Sequence, residues 1–451
     1  MIAPAPEAAP KPAPSIADLA DQLASGALSA RALLAACRDA VADRDGELHA
    51  MIALNPAAQA EAEAADRAAA RGERLGPLHG IPVVVKDNID VAGMPTTSGC
   101  IGLARAMPLR DAAVITRLRA AGAVLVGKTN LSELSFEIRS RSSIGGDVLH
   151  PANRAVTPGG SSGGTAVAIV SGFALAGLGT DTGGSIRIPA AYTGLVGFRP
   201  AHGALPMAGI APLAPSTDTV GPIARSVADL RVMLDALGLP VDARAHTGLR
   251  VGILRQAFGS DPAIAAALAP TLARLAAGGV RVVDPVALPD DVLPLAGDHI
   301  VDAEFAEAFD AYLASNFAPG TAPASLAALV ESGAHLPEYA APLRARLARK
   351  GQSTAAILAD HERLSAAMTD LLATASVDVL LFPTSQVVPR SLDNPKGGWA
   401  PELAARSGWP AISVPSGASI DGLPVGIELT GPAGSEAMLL AMAQHIEALS
   451  R

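Results

Sequence analysis

The chain has 451 residues, half of them hydrophobic, and a formal net charge of −9. A chain of this length can bury a large core, and its acidic balance argues against nucleic acid as a partner. Its two cysteines, Cys37 and Cys100, give neither a disulfide framework nor a metal-ligand spacing, which is typical of a reducing compartment. We therefore expect a cytoplasmic protein.

The N-terminus shows no targeting signal. Residues 1–14 are rich in alanine and proline and lack the basic start and apolar core of a signal peptide, so we expect a disordered tail. Residues 158–180 carry no charge, but glycines leave their continuous apolar part too short for a membrane span. The sequence therefore predicts no membrane association.

The first predicted elements are helices and strands in alternation. Ser15 and Ser29 are each placed to cap a helix. A strand is predicted over 49–54, and a helix rich in alanine and glutamate then reaches Arg71.

The next predicted strand runs straight into a lysine. Residues 81–85 are all apolar and Lys86 follows them directly. A continuous apolar run is typical of a strand buried on both faces, so the lysine is expected at its end or inside the core. Burial disfavours a charged amine and lowers its pKa. Lys86 is therefore a candidate general base.

Two segments further along match known sequence motifs but lack the secondary structure that those motifs require. Residues 122–129 fit the phosphate-loop pattern, which requires a strand before the loop. Here the residues between the glycines are themselves a predicted strand, preceded by a helix over 111–121. Residues 159–163 fit the nucleophile-elbow pattern, which requires a strand ending at the serine, whereas residues 153–158 are polar and turn-like. We reject both.

The most distinctive feature is a pair of glycine-rich loops around Ser161 and Ser185. Residues 165–171 predict two turns of helix and residues 174–178 a returning strand, so the two serines are expected to lie close together. Glycine lets backbone N–H groups point at a ligand. The apolar segments beside both loops argue against a flexible linker.

The remaining chain continues the alternation of strands and helices. The predicted elements are a helix starting at 188, a strand over 194–198, a loop feeding a helix over 218–229, a strand–helix–strand unit over 249–283, a mainly helical region over 297–375, strands over 377–382, 411–414 and 425–429, and a helix over 435–449. Without an internal repeat or a linker, residues 15–451 are expected to form a single α/β domain, with helices on both faces of a mixed sheet.

These residues favour one kind of chemistry. The nine histidines lie in no catalytic motif, and metal-ligand spacings are absent, although distance in sequence leaves a histidine base open. Serine with lysine is a known way to activate a nucleophile. The backbone of Thr182, Gly183 and Gly184 can aim N–H groups at one point, as a tetrahedral oxyanion requires. The sequence predicts acyl transfer from an amide or ester, without cofactor or metal.

Three segments, 80–88, 158–165 and 179–189, resemble the amidase signature family. A Gly-Gly-Ser-Ser-Gly-Gly block followed 24 positions later by Gly-Gly-Ser-Ile-Arg is highly specific, and the resemblance extends from about residue 15 to the C-terminus. It implies the amidase-signature fold and a Ser–cisSer–Lys triad.

The resemblance implies a role for each matching residue. Ser185 resembles the nucleophile, and Ser161 resembles the bridging serine, whose preceding peptide bond is cis in the family. Lys86 resembles the base that takes the nucleophile's proton through Ser161. Asp181 and Arg187 match positions that brace the nucleophile loop.

The branch of the family sets the expected substrate. Residues 76–97 and 218–229 resemble the indoleacetamide and mandelamide hydrolase branch. This implies hydrolysis of a small primary amide, with an aryl or apolar acyl group, to the acid and ammonia. The rival is the glutaminase component of a glutamyl-tRNA(Gln) amidotransferase, which releases ammonia from glutamine within a multi-subunit complex. Residues 135–138 depart from the usual pattern of that component.

A third hypothesis is a non-catalytic binding protein that keeps the fold, against which the intact triad argues. The expected partner is a small-molecule amide, and the sequence leaves a homodimer open. The acyl pocket is expected to draw on residues 130–145 and 297–400.

Overall fold

A computed structural model of the protein describes residues 14–241, 248–297, 299–394, 398 and 400–450. The predicted tail, except residue 14, lies outside them. The described residues form thirteen strands. In chain order the strands β1–β13 are Met51–Leu54, Pro82–Lys86, Val124–Thr129, Arg141–Ser142, Gly146–Asp147, Ala176–Asp181, Val196–Arg199, Thr219–Ala224, Arg250–Leu254, Arg281–Val286, Val379–Pro383, Ala411–Ile420 and Leu423–Thr430.

The same residues form fourteen α-helices. In chain order α1–α14 are Ile16–Ala24, Ala30–Leu48, Ala58–Ala70, Ala113–Ala120, Gly163–Val170, Arg187–Thr193, Val227–Ala236, Pro262–Ala277, Ile300–Asn316, Leu326–Ser332, Ala340–Ala348, Ala355–Ala375, Leu403–Ser407 and Glu436–Ser450. The Ser15 hydroxyl accepts the Asp18 N–H at 3.1 Å and the Ser29 hydroxyl accepts the Ala32 N–H at 3.0 Å, so both predicted caps are confirmed.

Eleven of the described strands form one mixed sheet, in the order β1-β3-β2-β6-β8-β7-β12-β13-β11-β9-β10. The pairs β2–β3, β2–β6, β9–β10 and β9–β11 are parallel, and the others are antiparallel. Helices cover both faces: α5 and α6 pack together on the sheet, as do α7, α8 and α14. The predicted α/β architecture is confirmed.

The glycine-rich loops meet because α5 folds back into β6, as predicted. The Ser162 hydroxyl donates to the Thr180 carbonyl at 3.3 Å, and the Ser162 N–H donates to the Ser185 carbonyl at 3.1 Å. Gly127–Thr129 end strand β3, which confirms that residues 122–129 are not a phosphate loop.

One predicted element is wrong. The sequence predicts a loop feeding a helix over 218–229, but residues 219–224 form β8, a fully buried strand between β6 and β7. Gly221 and Pro222 inside it resemble turn residues. The pairing on both sides overrides that local preference, and Gly221 permits the close approach because a Cβ there would lie 2.1 Å from the Phe198 carbonyl oxygen.

A second hydrophobic cluster lies beside the sheet core and is built on α9, α10 and α11. Phe136 joins it and packs edge-to-face on Phe305, with the ring centroids 4.7 Å apart. The Tyr312 hydroxyl donates to Asp90 at 2.6 Å, which ties α9 to the segment just after Lys86. The cluster therefore forms a helical cap beside the end of β2.

Gly221→Ala is expected to destabilise the fold because its methyl group would overlap the Phe198 carbonyl oxygen. Such overpacking costs about 1–3 kcal/mol, so in a chain of this length the thermal unfolding midpoint should fall by about 1–3 °C. The matched control is Gly46→Ala in α2, where a Cβ meets no atom within 4 Å. That variant should be neutral or slightly more stable. Equal midpoints for the two variants would contradict the packing argument.

Candidate active site

Lys86 ends β2 and is fully buried. Its Nζ lies 2.7 Å from the Ser161 hydroxyl oxygen and 2.8 Å from the Thr180 hydroxyl oxygen. The Asn88 amide also donates to the Thr180 hydroxyl oxygen, at 3.0 Å. A neutral amine that donates a hydrogen bond to the Thr180 hydroxyl can direct its lone pair at the Ser161 hydroxyl. The predicted contact between Lys86 and Ser161 is therefore present.

The surroundings of Lys86 favour a neutral amine. Burial lowers the pKa of Lys86 to about 7, against the opposing effect of the negative charges of Asp181 and Asp218. The lysine has no carboxylate in direct contact among the described residues, since its polar neighbours are hydroxyl groups. A neutral amine can accept a proton, whereas an ammonium cannot.

The two serines lie on either side of the unit formed by α5 and β6. The Gly160–Ser161 peptide bond is cis, and Ser161 is fully buried. Ser185 is 9 % exposed and lines the cavity beside it. The hydrogen bond from the Ser162 N–H to the Ser185 carbonyl holds the two loops together.

A cavity of about 360 Å³ opens in front of Ser185. Its apolar side chains come from Phe136, Ile138, Leu213 and Val301. Residues from both segments predicted for the acyl pocket line it, together with two side chains just beyond them, Glu402 and Arg406. The volume suits a small organic substrate.

Thr182, Gly183 and Gly184 line the cavity beside Ser185. The Thr182 hydroxyl donates to Asp218 at 2.6 Å, and the other oxygen of that carboxylate accepts the Leu213 N–H at 2.8 Å. Gly184 has a φ of 143°, a conformation that favours glycine. The loop predicted to form an oxyanion hole is thus anchored through Thr182 and faces the cavity.

Asp181 and Arg187 lie together behind the nucleophile loop. The Asp181 carboxylate accepts the Ile186 N–H at 3.1 Å and contacts the Arg187 guanidinium at 3.1 Å. Burial alone would raise the pKa of Asp181, but Arg187 and Arg199 outweigh it and hold that pKa well below its usual range. The carboxylate therefore stays ionised and closes the loop that carries Ser185.

Two further charged residues complete this bracing, and the sequence interpretation missed both. Arg199 is fully buried and donates to the Asp181 carbonyl at 2.6 Å, to its carboxylate at 3.0 Å and to the Thr217 carbonyl at 2.6 Å. Glu428 pairs with Arg187, and burial raises the pKa of Glu428 to about 7. Both residues could have been identified from the sequence, because each is a lone charged residue in an otherwise apolar strand, as is Lys86.

Lys128 of the rejected phosphate-loop motif has a structural partner. Its Nζ lies 2.9 Å from Asp87, and both side chains are fully buried. Lys128 lies on β3, and Asp87 directly follows Lys86 at the end of β2. Lys128 is therefore held by a carboxylate, unlike Lys86.

The described ranges show neither a metal centre nor a membrane span. No group of three histidine, cysteine, aspartate or glutamate side chains in them is arranged to hold a metal ion. None of the helices in the described part of the chain combines the length and apolarity needed to cross a membrane.

Known proteins of similar sequence include components of amidotransferases. The A component of the glutamyl-tRNA(Gln) amidotransferase of Synechococcus sp. is 33% identical over 470 residues, which cover 96% of each chain. Its counterpart in Deinococcus radiodurans is 34% identical over 437 residues, which cover 89% of this chain and 90% of that one. Similarity to these proteins extends over nearly the whole chain.

Solved structures and a family match agree with this similarity. The native peptide amidase of Stenotrophomonas maltophilia superposes with a TM-score of 0.86 at 34% identity, over 98% of both chains. These relatives are components of glutamyl-tRNA(Gln) amidotransferases and a peptide amidase, so the resemblance to indoleacetamide and mandelamide hydrolases stays a prediction. The sequence model of the family described as Amidase matches residues 32–440. The chain belongs to the amidase signature family and is a hydrolase of carbon–nitrogen amide bonds.

Proposed function

We propose that this enzyme hydrolyses a small primary carboxylic amide to the acid and ammonia through an acyl-enzyme on Ser185. One observation carries the proposal: a fully buried Lys86 amine with a pKa of about 7 lies 2.7 Å from the Ser161 hydroxyl. An amine in this state is a base that works near neutral pH. Ser161 in turn lies on the loop that is hydrogen-bonded to the backbone of Ser185.

In the proposed first half-reaction, the Ser185 oxygen attacks the amide carbon. Its proton passes to the Ser161 oxygen, while the Ser161 proton passes to Lys86. Collapse of the tetrahedral intermediate breaks the carbon–nitrogen bond, and the proton returns by the same route to the leaving ammonia. Water then attacks the acyl ester with the same base, which releases the acid and restores Ser185.

The negative oxygen of the tetrahedral intermediate is assigned to the backbone of Thr182, Gly183 and Gly184. Preorganised N–H donors stabilise such an oxyanion most where water is excluded. The support for this assignment is that the three residues line the cavity next to Ser185 and are anchored through Asp218.

The acyl group is proposed to be aryl or otherwise apolar next to the carbonyl. The support is the apolar part of the lining, contributed by Phe136, Ile138, Leu213 and Val301. A cavity of about 360 Å³ holds an acyl group of one ring or a short chain.

The second candidate function is release of ammonia from glutamine as the A component of an amidotransferase. It is supported by the sequence relatives, since those of Synechococcus sp. and Deinococcus radiodurans are 33% and 34% identical to this chain. It differs from the first candidate in requiring partner proteins and glutamine.

Ser185→Ala is expected to abolish ammonia release from small amides, with kcat reduced by about 10⁴ or more, because no nucleophile remains. The thermal unfolding midpoint should stay within a few degrees of the wild type. The measurement is ammonia release over a panel of aryl and alkyl amides. Retained activity would remove Ser185 from the role of nucleophile.

The same panel separates the two candidate functions when glutamine is included. The amidase predicts that the purified chain alone releases ammonia from several simple amides. The amidotransferase predicts release from glutamine only, after the partner proteins are added.

The pH profile is expected to follow the protonation of Lys86. Since its pKa is lowered to about 7, the amine is protonated and inactive below that pH, and kcat/KM should rise with pH through about 7. Lys86→Ala should lose about 10²–10⁴ in rate and recover part of it only at high pH, as hydroxide replaces the base. Exposed Lys350 pairs with Asp310, and Lys350→Ala should keep the wild-type profile. An unchanged profile in Lys86→Ala would rule out lysine as the base.

Hydroxylamine tests the acyl-enzyme directly. A seryl ester partitions between water and an added amine nucleophile, so the wild type should form a hydroxamate in proportion to hydroxylamine concentration. Colorimetric detection with iron(III) measures the product, and Ser185→Ala provides the blank. Ammonia release without any hydroxamate would favour direct attack by water.

A further inference from the structure

The cavity in front of Ser185 carries several charged side chains, most of which neutralise one another. Three arginines line it, and each is paired with a carboxylate. The pairs are Arg139 with Asp147, Arg346 with Asp302, and Arg406 with Glu402. Each of the three guanidinium groups therefore already has a carboxylate partner, and Asp302 also contacts Arg349.

Glu137 is the exception among the described carboxylates that line the cavity. Its side chain is half-buried and makes no ion pair or hydrogen bond with any described residue, whereas its backbone carbonyl accepts the Ser132 hydroxyl at 2.6 Å. His299 is the remaining titratable side chain of the lining. Among the described carboxylates of the lining, Glu137 therefore lacks a direct cationic partner. A partly buried carboxylate favours a cation more strongly than an exposed one.

The loop that carries Glu137 lies directly against the proposed bridging serine. The Ser132 N–H donates to the Ser161 carbonyl at 3.2 Å. A Cβ at Gly160 would lie 3.0 Å from the backbone of residues 138–139, so the loop and the serine-bearing segment are in contact. The backbone of the loop around Glu137 is therefore held against the segment that carries Ser161.

The same loop is held in an unusual shape. Leu134, Ser135 and Ser140 have φ values of 53°, 64° and 59°, in the left-handed region that non-glycine residues rarely adopt. Such conformations persist where the surrounding contacts determine them, and they occur often at binding sites. The Ser132 hydroxyl supplies such a contact, because it accepts the Ser140 N–H at 2.8 Å while donating to the Glu137 carbonyl.

We propose that Glu137 binds a positively charged group on the acyl part of the amide substrate. The inference rests on the proposed function and makes it more specific: the substrate is a primary amide with an apolar stem that ends in an ammonium or guanidinium group. The stem would contact Ile138, Leu213 and Val301, which line the cavity with Glu137. The charged end would give the Glu137 carboxylate the direct ion partner that it lacks among the described residues.

The test compares ω-amino amides with methyl-terminated amides of the same shape, over a series of chain lengths. The wild type should favour the ω-amino amide by about tenfold or more in kcat/KM at one chain length, as a charge-assisted hydrogen bond predicts. Glu137→Gln should lower that ratio about tenfold. Glu338 pairs with Arg141 outside the cavity, so Glu338→Gln should keep the wild-type ratio. A wild-type preference for the methyl-terminated amide at every length would overturn the proposal while leaving amide hydrolysis intact.

Binding gives a readout that does not depend on turnover. Calorimetric titration of Ser185→Ala with the same amides should show tighter binding of the ω-amino amide, and Ser185→Ala combined with Glu137→Gln should lose that difference. Equal binding of the two amides would overturn the role of Glu137. Absence of turnover in the wild type, with the binding difference present, would instead contradict the proposed function alone.

Discussion

The burial of one lysine amine among hydroxyl groups is the constraint on which the rest of this site depends. Lys86 lies at the end of a strand covered on both faces, and its Nζ reaches the hydroxyls of Ser161 and Thr180 but no described carboxylate. Lys128 on the next strand is equally buried but contacts Asp87. Two lysines of equal burial therefore differ in their partners.

One connected group of buried charges lies behind the loop that carries Ser185. Asp181, Arg187, Arg199 and Glu428 form a connected group with two formal charges of each sign. Removing one member of such a group leaves an uncompensated charge, which costs about 3–5 kcal/mol, so the group acts as a rigid clamp on the Ser185 loop. Asp181, together with Asp218 outside this group, opposes the effect of burial on the pKa of Lys86 without contacting the amine. The clamp fixes the geometry of the loop, and burial lowers the pKa of Lys86.

The cavity joins the loop that carries Ser185 to a different part of the molecule. Residues 182–185, between β6 and α6, form one side of it, whereas other walls come from the loop around Phe136 and from α9 and α11 of the helical cap. Because the cap has its own hydrophobic cluster, its lining can vary in sequence without disturbing the sheet. The reaction and the choice of substrate are therefore supported by separate sets of contacts.

Local sequence by itself determined most of the elements and the positions of Lys86, Ser161 and Ser185, because apolar periodicity, capping serines and glycine-rich loops are local signals. It failed at β8, where Gly221 and Pro222 indicate a turn and only pairing with β6 and β7 makes a strand. Tertiary structure alone decided which buried charges meet, since the partners Arg187 and Glu428 are 241 positions apart. It also decided the lining of the cavity, because contacts between distant segments depend on how the whole chain packs and leave no periodic pattern in the sequence.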